Sequence, residues 1–342
     1  MRFYYRPFDL RWLYWEPETN LVDRKREEYF PEVDGHVLWI AAAQDQRRVY
    51  DPPVVTRRLS SLHVIERGAN LFPLTLHAPQ RELHGGDAAA NGRQPNASAE
   101  LQDYVSDMNG VTFEDVFFHV IATVYSPAYR NANCGALLQD WPRIPLPRHW
   151  EHLRTSSALG RNVAALLDPE QDVTGVTVEV ADHLRSIADI TTSDGTQIDP
   201  ARDLLGTENW GYVDARGAVM PALGAERVRP AREMELAALE PLSADQRNHL
   251  GVYTLDVFFN PQVYWSNVPL PVWNFAVGGY PVLKKWLSYR DHRVLGRPLR
   301  VEELEEFQRI ARRIISILLL NPELDAVYEL SRADAIAWPL HR

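Results

Sequence analysis

Cysteine is nearly absent. One residue, Cys134, occurs among 342, which excludes a disulfide framework and a thiolate metal site. That scarcity fits a reducing compartment, so the chain is expected to be cytoplasmic. Long apolar runs are missing too. The longest, from Ile314 to Leu320, is broken by Ser316 and is far too short to cross a bilayer. No membrane partner is expected. The start, Met1 to Pro7, lacks the apolar stretch and small-residue site of a signal peptide. Asn96-Ala97-Ser98 matches a glycosylation sequon, which carries no meaning in a cytoplasmic chain. Lysine is scarce: only Lys25, Lys284 and Lys285 occur among 36 basic residues, against 46 acidic ones. The net charge of −10 excludes a surface that grips nucleic acid over its whole extent, because phosphate contacts need cations. A local basic stripe stays open. Arginine suits bidentate contacts to phosphate and guanine, although a GC-rich genome produces the same bias.

Catalytic signatures are also missing. A methyltransferase needs a glycine-rich loop for S-adenosylmethionine and an Asn/Asp-Pro-Pro-aromatic tetrad for the extruded base. Asp51-Pro52-Pro53 is followed by Val54, not an aromatic, and no strand, glycine loop and helix precede it. Asn260-Pro261-Gln262-Val263 has one proline and ends without an aromatic. Both read as proline turns. No phosphate loop, nucleophile elbow or His-Glu-x-x-His pair occurs. His149 and His152 stand three apart on an expected helix and share a face. Flanked by Trp150 and Leu153, they read as solvated or capping groups rather than ligands. No catalytic residue, no metal and no cofactor is therefore assigned to this chain. A hydrolase whose carboxylates converge only in space stays open.

What is present describes a globular protein. Hydrophobic residues make up 45% and charged ones 24%, enough for one or two sizeable cores. Phe3 to Trp15 alternate aromatic and charged side chains without a leader, as in a fragment of a larger protein. Val37–Ala43, Val54–Ile65 and Leu71–His77 read as strands. Residues 79–100 are rich in Gly, Ala and Asn and read as a mobile loop. Thr112-Phe113-Glu114-Asp115 opens a helix with a good N-cap and an acidic first turn, with Phe117, Ile121 and Val124 on one face. Helices follow over Ala128–Leu138 and His149–Leu167. Val173–Val180, Trp210–Val213 and Val252–Phe259 read as strands, and Leu236–Leu250 is ambiguous. Helices return at Tyr280–Arg290, Pro298–Leu320 and Glu323–Leu330. In the longest, Leu304, Phe307, Ala311, Ile314 and Leu318 line one side. The expectation is an α+β fold: two mixed lobes, a central helical layer and a C-terminal helical segment. The divisions are a β-rich lobe over 1–110, a helical layer over 111–170, and a second β-rich lobe with C-terminal helices over 171–342. Regular β–α alternation is absent, which argues against a doubly wound sheet.

Basic groups interleaved with aromatics are the strongest chemical feature. Arg6 and Arg11 lie among Phe3, Tyr4, Tyr5, Phe8 and Trp12. Arg57-Arg58 is placed in the middle of a strand. Lys284-Lys285-Trp286-Leu287-Ser288-Tyr289-Arg290-Asp291-His292-Arg293 lies on a helix, followed by Arg297 and Arg300. Such groups meet phosphates or base edges, or else form braces and a solvated helix face.

Five ordered segments resemble a known family. Tyr5-Arg6-Pro7-Phe8-Asp9 with Arg11-Trp12-Leu13-Tyr14, Asn70-Leu71-Phe72-Pro73-Leu74, and Thr112–Phe117 with Tyr125-Ser126-Pro127-Ala128-Tyr129-Arg130 are three of them. Asp140-Trp141-Pro142-Arg143-Ile144-Pro145-Leu146 and Gly278-Gly279-Tyr280-Pro281-Val282-Leu283-Lys284-Lys285-Trp286-Leu287 complete the set. Together they are similar to the C-terminal target-recognition region of type ISP restriction-modification enzymes and related N6-adenine DNA methyltransferases. The stretches 16–50, 78–108 and 175–270 match that family poorly. The resemblance implies a module that recognises double-stranded DNA and does no chemistry itself. It further implies a parent whose N-terminal methyltransferase domain uses S-adenosylmethionine. Expected DNA contacts are Arg57, Arg58, Lys284, Lys285, Arg290 and Arg293. Arg6, Asp9 and Arg11 are expected to brace the junction with the methyltransferase domain. The rival expectation is a scaffold docking a partner subunit, favoured where those cations are salt-bridged and the exposed patches are apolar.

Overall fold

The structure is a computed structural model that describes residues 1–15, 31–33, 35, 37–46, 49–66, 68–77, 92–206 and 209–337. It divides into two compact units, residues 1–168 with 323–342, and residues 169–322. Both mix helices with small antiparallel sheets, so the fold is α+β. Among the described residues no helix is long and apolar enough to cross a membrane.

The first unit opens with a hairpin, β1 (Arg2–Arg6) and β2 (Asp9–Trp12). A three-stranded antiparallel sheet follows, ordered β4-β3-β5, from β3 (Trp39–Ala42), β4 (Val54–Thr56) and β5 (Asn70–Pro73). Next, β6 (Thr75–His77) pairs with β7 (Arg93–Pro95). Residues 79–91 of the expected loop lie outside the described residues, while its last part forms β7 and opens α1 (Ala99–Asp107). Then come α2 (Phe113–Tyr125), α3 (Pro127–Ala132), α4 (Cys134–Leu137) and α5 (Trp150–Leu167). Thr112 opens α2 through a reciprocal capping box: its hydroxyl accepts from Asp115 N at 3.2 Å, and Asp115 accepts from Thr112 N at 3.0 Å. Ser126 ends α2 and caps α3, with Pro127 in the first helical position, where its missing N–H costs nothing.

Helices α2 and α5 cross closely because residue 160 is glycine. A Cβ there would lie 1.8 Å from the Phe118 carbonyl oxygen. His119 binds the pair: one ring nitrogen is 2.8 Å from Ser156 Oγ and the other 2.9 Å from the Pro145 carbonyl. Burial pushes its pKa down to about 4, which keeps the ring neutral. Asp51-Pro52-Pro53 is structural, since the Pro53 carbonyl accepts from the Tyr125 hydroxyl at 2.8 Å.

The second unit contains α6 (Asp182–Arg185), β8 (Asp189–Thr192), α7 (Pro200–Asp203), β9 (Gly211–Val213), β10 (Val219–Pro221), β11 (Ala225–Pro230), α8 (Glu233–Ala238) and α9 (Ala244–Leu250). It continues with β12 (Tyr253–Phe258), β13 (Val263–Pro269), α10 (Leu270–Trp273), β14 (Ala276–Val277), β15 (Tyr280–Pro281), α11 (Val282–Ser288), α12 (His292–Leu295) and α13 (Val301–Leu319). Four strands form one antiparallel sheet in the order β11-β12-β13-β8. The apolar stripe of α13 packs inward as its spacing predicts: Leu304, Phe307, Ala311 and Ile314 are buried, while Leu318 is half-buried. Phe307 stacks on Trp265 with centroids 4.1 Å apart, and the Trp265 indole donates to the Leu304 carbonyl at 3.1 Å. A ring of this size buries about 200 Å², a gross gain of about 5 kcal/mol. The last helix, α14 (Asn321–Ala333), belongs to the first unit from Glu323 onward. There Asp325 accepts from Ser126 Oγ at 2.6 Å and Ala128 N at 2.8 Å.

Several expected elements differ. Val173–Val180 alternates like a strand but forms a closed loop, because the Thr177 hydroxyl accepts from Val173 N at 2.9 Å and Gly175 takes a left-handed φ of 83°. Ala128–Leu138 breaks into α3 and α4 at Asn133, whose amide donates to the Tyr129 carbonyl at 2.8 Å. Tyr280–Arg290 shortens to α11, and Leu236–Leu250 resolves into the end of α8 and the whole of α9.

Candidate functional site

The lysine-rich segment turns inward. Lys285 is only 7% exposed; its ammonium donates to the Val219 carbonyl at 2.6 Å and faces the Tyr289 ring at 4.9 Å. The Arg290 side chain is 10% exposed, lies over the Trp286 ring at 4.1 Å and pairs with Glu306 at 3.7 Å. Lys284 is half-buried, 3.5 Å from Glu226 and 5.1 Å from the centre of the Trp273 ring. Arg293 is exposed, but its guanidinium is shared between Asp291 at 3.0 Å and the Gly211 carbonyl at 2.9 Å. Lys285 and Arg290, expected among the DNA contacts, are thus engaged by partners within the second unit. The expected helix over Tyr280–Arg290 held both without revealing that β9 and β10 pack against α11.

Lys285, through the Val219 carbonyl, and Arg293, through the Gly211 carbonyl, hold the hairpin β9–β10. Its strands pair Val213 with Val219, Tyr212 with Met220, and Gly211 with Pro221. Asp291 clamps the base: its buried carboxylate accepts from Trp210 N at 2.8 Å and Gly211 N at 3.2 Å. Burial alone would push that carboxyl up; the Arg293 guanidinium, the Arg293 backbone N–H and the Gly211 N–H outweigh it and hold it below the ordinary carboxylate range. Gly211 is required for the close approach, because a Cβ there would lie 2.1 Å from the Ser288 carbonyl oxygen. Trp210 pins the other side, donating to the Phe258 carbonyl at 2.8 Å and packing edge-on against Trp273.

The tip is built by a local turn. Asp214 Oδ1 accepts from Arg216 N at 2.9 Å and Ala218 N at 2.8 Å, and Gly217 supplies the left-handed φ of 80°. Arg216 sits there, exposed, with no side-chain partner among the described residues. Tyr212 and Met220, opposite each other across the ladder, are exposed as well. The base is thus clamped by buried polar contacts, and the tip presents one guanidinium, one phenol and one thioether. Sequence reasoning identified the first strand only. Asp214-Ala215-Arg216-Gly217 between Tyr212-Val213 and Val219-Met220 is the hairpin signal that was available.

Beside the hairpin, Arg229 of β11 is nearly enclosed. It forms a bidentate pair with Glu235 at 2.7 Å and a further contact to Asp256 at 3.0 Å, joining β11 to α8 and β12. Several large apolar side chains of the unit are exposed: Leu223 is 92% and Met234 85% exposed, with Val228, Val252 and Tyr253 also exposed. Asn260 holds a turn, donating to the Asp203 carbonyl at 2.6 Å and accepting from Gln262 and Val263 N–H. Its tetrapeptide is therefore structural.

In the first unit, β4 ends at Thr56, so Arg57 and Arg58 follow the strand instead of lying within it. Thr56 Oγ1 accepts from Arg58 N at 2.9 Å, and Arg57 lies 3.7 Å from Asp168. Both are half-buried. Asp9 is buried and paired with Arg11 at 2.8 Å. Arg6 and Arg11 both lie over the Tyr5 ring, at 4.3 and 4.0 Å, and Arg6 donates to Ser61 Oγ at 3.2 Å. Arg6, Asp9 and Arg11 thus come together around one hairpin, which leaves Trp12 and Tyr14 exposed.

Three solved structures resemble this fold. A nuclease-deletion mutant of the Type ISP restriction-modification enzyme LlaGI, in complex with a DNA substrate mimic, is 17% identical with a TM-score of 0.51. The match covers 95% of this chain and 24% of that one. The ATP-dependent Type ISP restriction-modification enzyme LlaBIII bound to DNA is 14% identical with a TM-score of 0.58, over 96% of this chain and 18% of that one. The DrdV–DNA complex is 19% identical with a TM-score of 0.54, over 95% and 28%. The present chain therefore spans about a quarter or less of the first two proteins and somewhat more of the third. No curated protein matches it. Residues 1–316 match the family described as the Type ISP C-terminal specificity domain, and the chain belongs to that family.

Proposed function

We propose that this chain reads double-stranded DNA and positions the target site for an adenine-specific methyltransferase domain of the same protein. The β9–β10 hairpin carries the reading. The major groove, about 12 Å wide, admits a two-stranded ribbon, and an exposed arginine contacts guanine through two donors. A clamped base keeps such a ribbon from losing entropy on binding. The family to which the chain belongs, and the presence of DNA in three proteins of similar fold, support the same reading. Arg216 is the proposed base reader, with Tyr212 and Met220 packing on base edges. Arg57, Arg58, Lys284 and Arg293 are proposed phosphate contacts, the last two swinging from their intramolecular partners. Lys285 positions the hairpin, while Arg290 braces Trp286 and Glu306. The flipped adenine and S-adenosylmethionine would occupy the separate catalytic domain, which the face bearing Trp12 and Tyr14 would adjoin.

One observation favours a docking scaffold: the basic side chains named first are mostly ion-paired, and Leu223, Met234, Val252 and Tyr253 form an apolar exposed set. Fluorescence anisotropy of a duplex carrying the recognition site, titrated at rising salt, separates the readings. DNA recognition gives an affinity that falls linearly on a log–log salt plot and drops with Arg216→Ala. No affinity at low salt, even with the methyltransferase domain joined, leaves the scaffold.

A further inference from the structure

Three potential ligand atoms converge in the first unit. His149 immediately precedes α5, His152 lies in its first turn, and Asp334 follows the last residue of α14. The main chain holds them together. Arg148 N donates to the Asp334 carbonyl at 2.9 Å, Ile336 N donates to the Leu146 carbonyl at 2.9 Å, and Pro147 bridges to Ala335. Both Nδ1 atoms meet the same carboxylate oxygen, His149 at 2.8 Å and His152 at 3.2 Å, and the three ligand atoms lie within 4.8 Å of one another.

The charge pattern is unusual. The Asp334 side chain is only 16% exposed, and among the described residues no lysine or arginine lies within ion-pair distance of it. Its other donor is the backbone N–H of His149, at 2.9 Å. A largely enclosed carboxylate with no permanent cation beside it needs a positive charge from elsewhere. Two imidazoles face it, and imidazole with carboxylate is a donor set suited to zinc, copper or nickel rather than magnesium or calcium. Donor atoms that share a zinc ion at about 2.0–2.1 Å stand about 2.9–3.4 Å apart, close to the two spacings found here.

We propose that His149, His152 and Asp334 form a binding site for a divalent transition-metal ion, zinc by preference. The ion replaces the protons on the two Nδ1 atoms, and the carboxylate oxygens complete a three-ligand set. The exposed side of the histidines leaves a further position open to water. Bound there, the ion clips the end of α14 to the start of α5. Spacing alone reads these histidines as capping groups; the arrival of Asp334, 182 residues beyond His152, turns them into a chelate.

Isothermal titration of the 342-residue chain with zinc chloride at pH 7.5 tests this. The expected result is one ion per chain, with affinity lowered at least 30-fold in both His152→Ala and Asp334→Asn. Zinc in excess also raises the thermal midpoint of the wild type by ~2 °C and leaves that of His152→Ala unchanged. Cobalt(II) in place of zinc gives a ligand-field spectrum that His152→Ala loses. His152→Ala keeps the Asp334 cap on α5, so it serves where Asp334→Asn does not fold. No heat and no thermal shift in the wild type overturns the site, as does binding that persists undiminished in His152→Ala.

Discussion

The segment Val282–Arg293 and the hairpin Gly211–Pro221 exchange the roles their compositions suggest. The first carries two lysines and two arginines and engages all four within the unit, on carbonyls, aromatic faces and carboxylates. The second carries one arginine and presents it to solvent. Charge along a chain is thus a poor guide to charge on a surface. A buried cation is tolerated only where fixed partners replace its water, and Val219, Tyr289, Trp286 and Glu306 are such partners. The family-like segment around Lys284-Lys285-Trp286 works as a buttress. The hairpin it supports falls within the stretch that resembles the family least, where differences in target sequence are expected to be read.

The comparison breaks most severely at Asp291. Asp291→Ala strands two buried N–H groups and frees Arg293, so a loss of about 4 kcal/mol is expected. It should appear in urea unfolding, together with faster amide exchange at Trp210 and Gly211. An undisturbed hairpin in that variant would show that the buttress is not needed.

Acid probes the other unit. His119 has its pKa lowered from 6.5 to about 4, so the unfolded chain takes up a proton between those values and the folded chain does not. Its contribution is intact above pH 7, is lost as pH falls through 6.5, and is gone near 4. The loss amounts to about 3 kcal/mol. Urea titrations at pH 7 and pH 4 should show that much less acid sensitivity in His119→Gln than in the wild type.

Lys285→Met keeps the aliphatic stem but leaves the Val219 carbonyl without its donor. We expect about 2 kcal/mol of destabilisation and an unchanged salt slope of DNA binding. A slope reduced by about one unit would mean that Lys285 contacts phosphate. Arg216→Ala is the converse. Its stability should stay within ~0.5 kcal/mol of wild type, while affinity for the cognate duplex falls about tenfold. Equal loss on every duplex would make Arg216 a phosphate contact instead of a reader.

Much of the fold was legible because its signals are local. The Thr112–Asp115 capping box, the Ser126-Pro127 junction and the apolar stripe of α13 each lie within a few turns of chain, and all three formed where spacing placed them. Val173–Val180 misled for the complementary reason: its alternation is real, but a glycine and a threonine hydroxyl close it into a loop. Strand β11 escaped notice because Glu226, Arg227 and Arg229 mask its pattern. Only Asp256 and Glu235, brought in from other elements, account for Arg229 being enclosed.

Composition and motif order by themselves determined the α+β class, the absence of a thiolate metal site and the family. Those properties depend on which residues occur and on contacts between near neighbours in sequence. The tertiary structure alone decided which cations face water, that Arg216 rides on a clamped hairpin, and that Asp334 meets His149 and His152. Each of these depends on partners roughly 70 to 185 residues apart, a separation across which no local pattern survives, because loop closure brings together groups whose spacing in sequence carries no period.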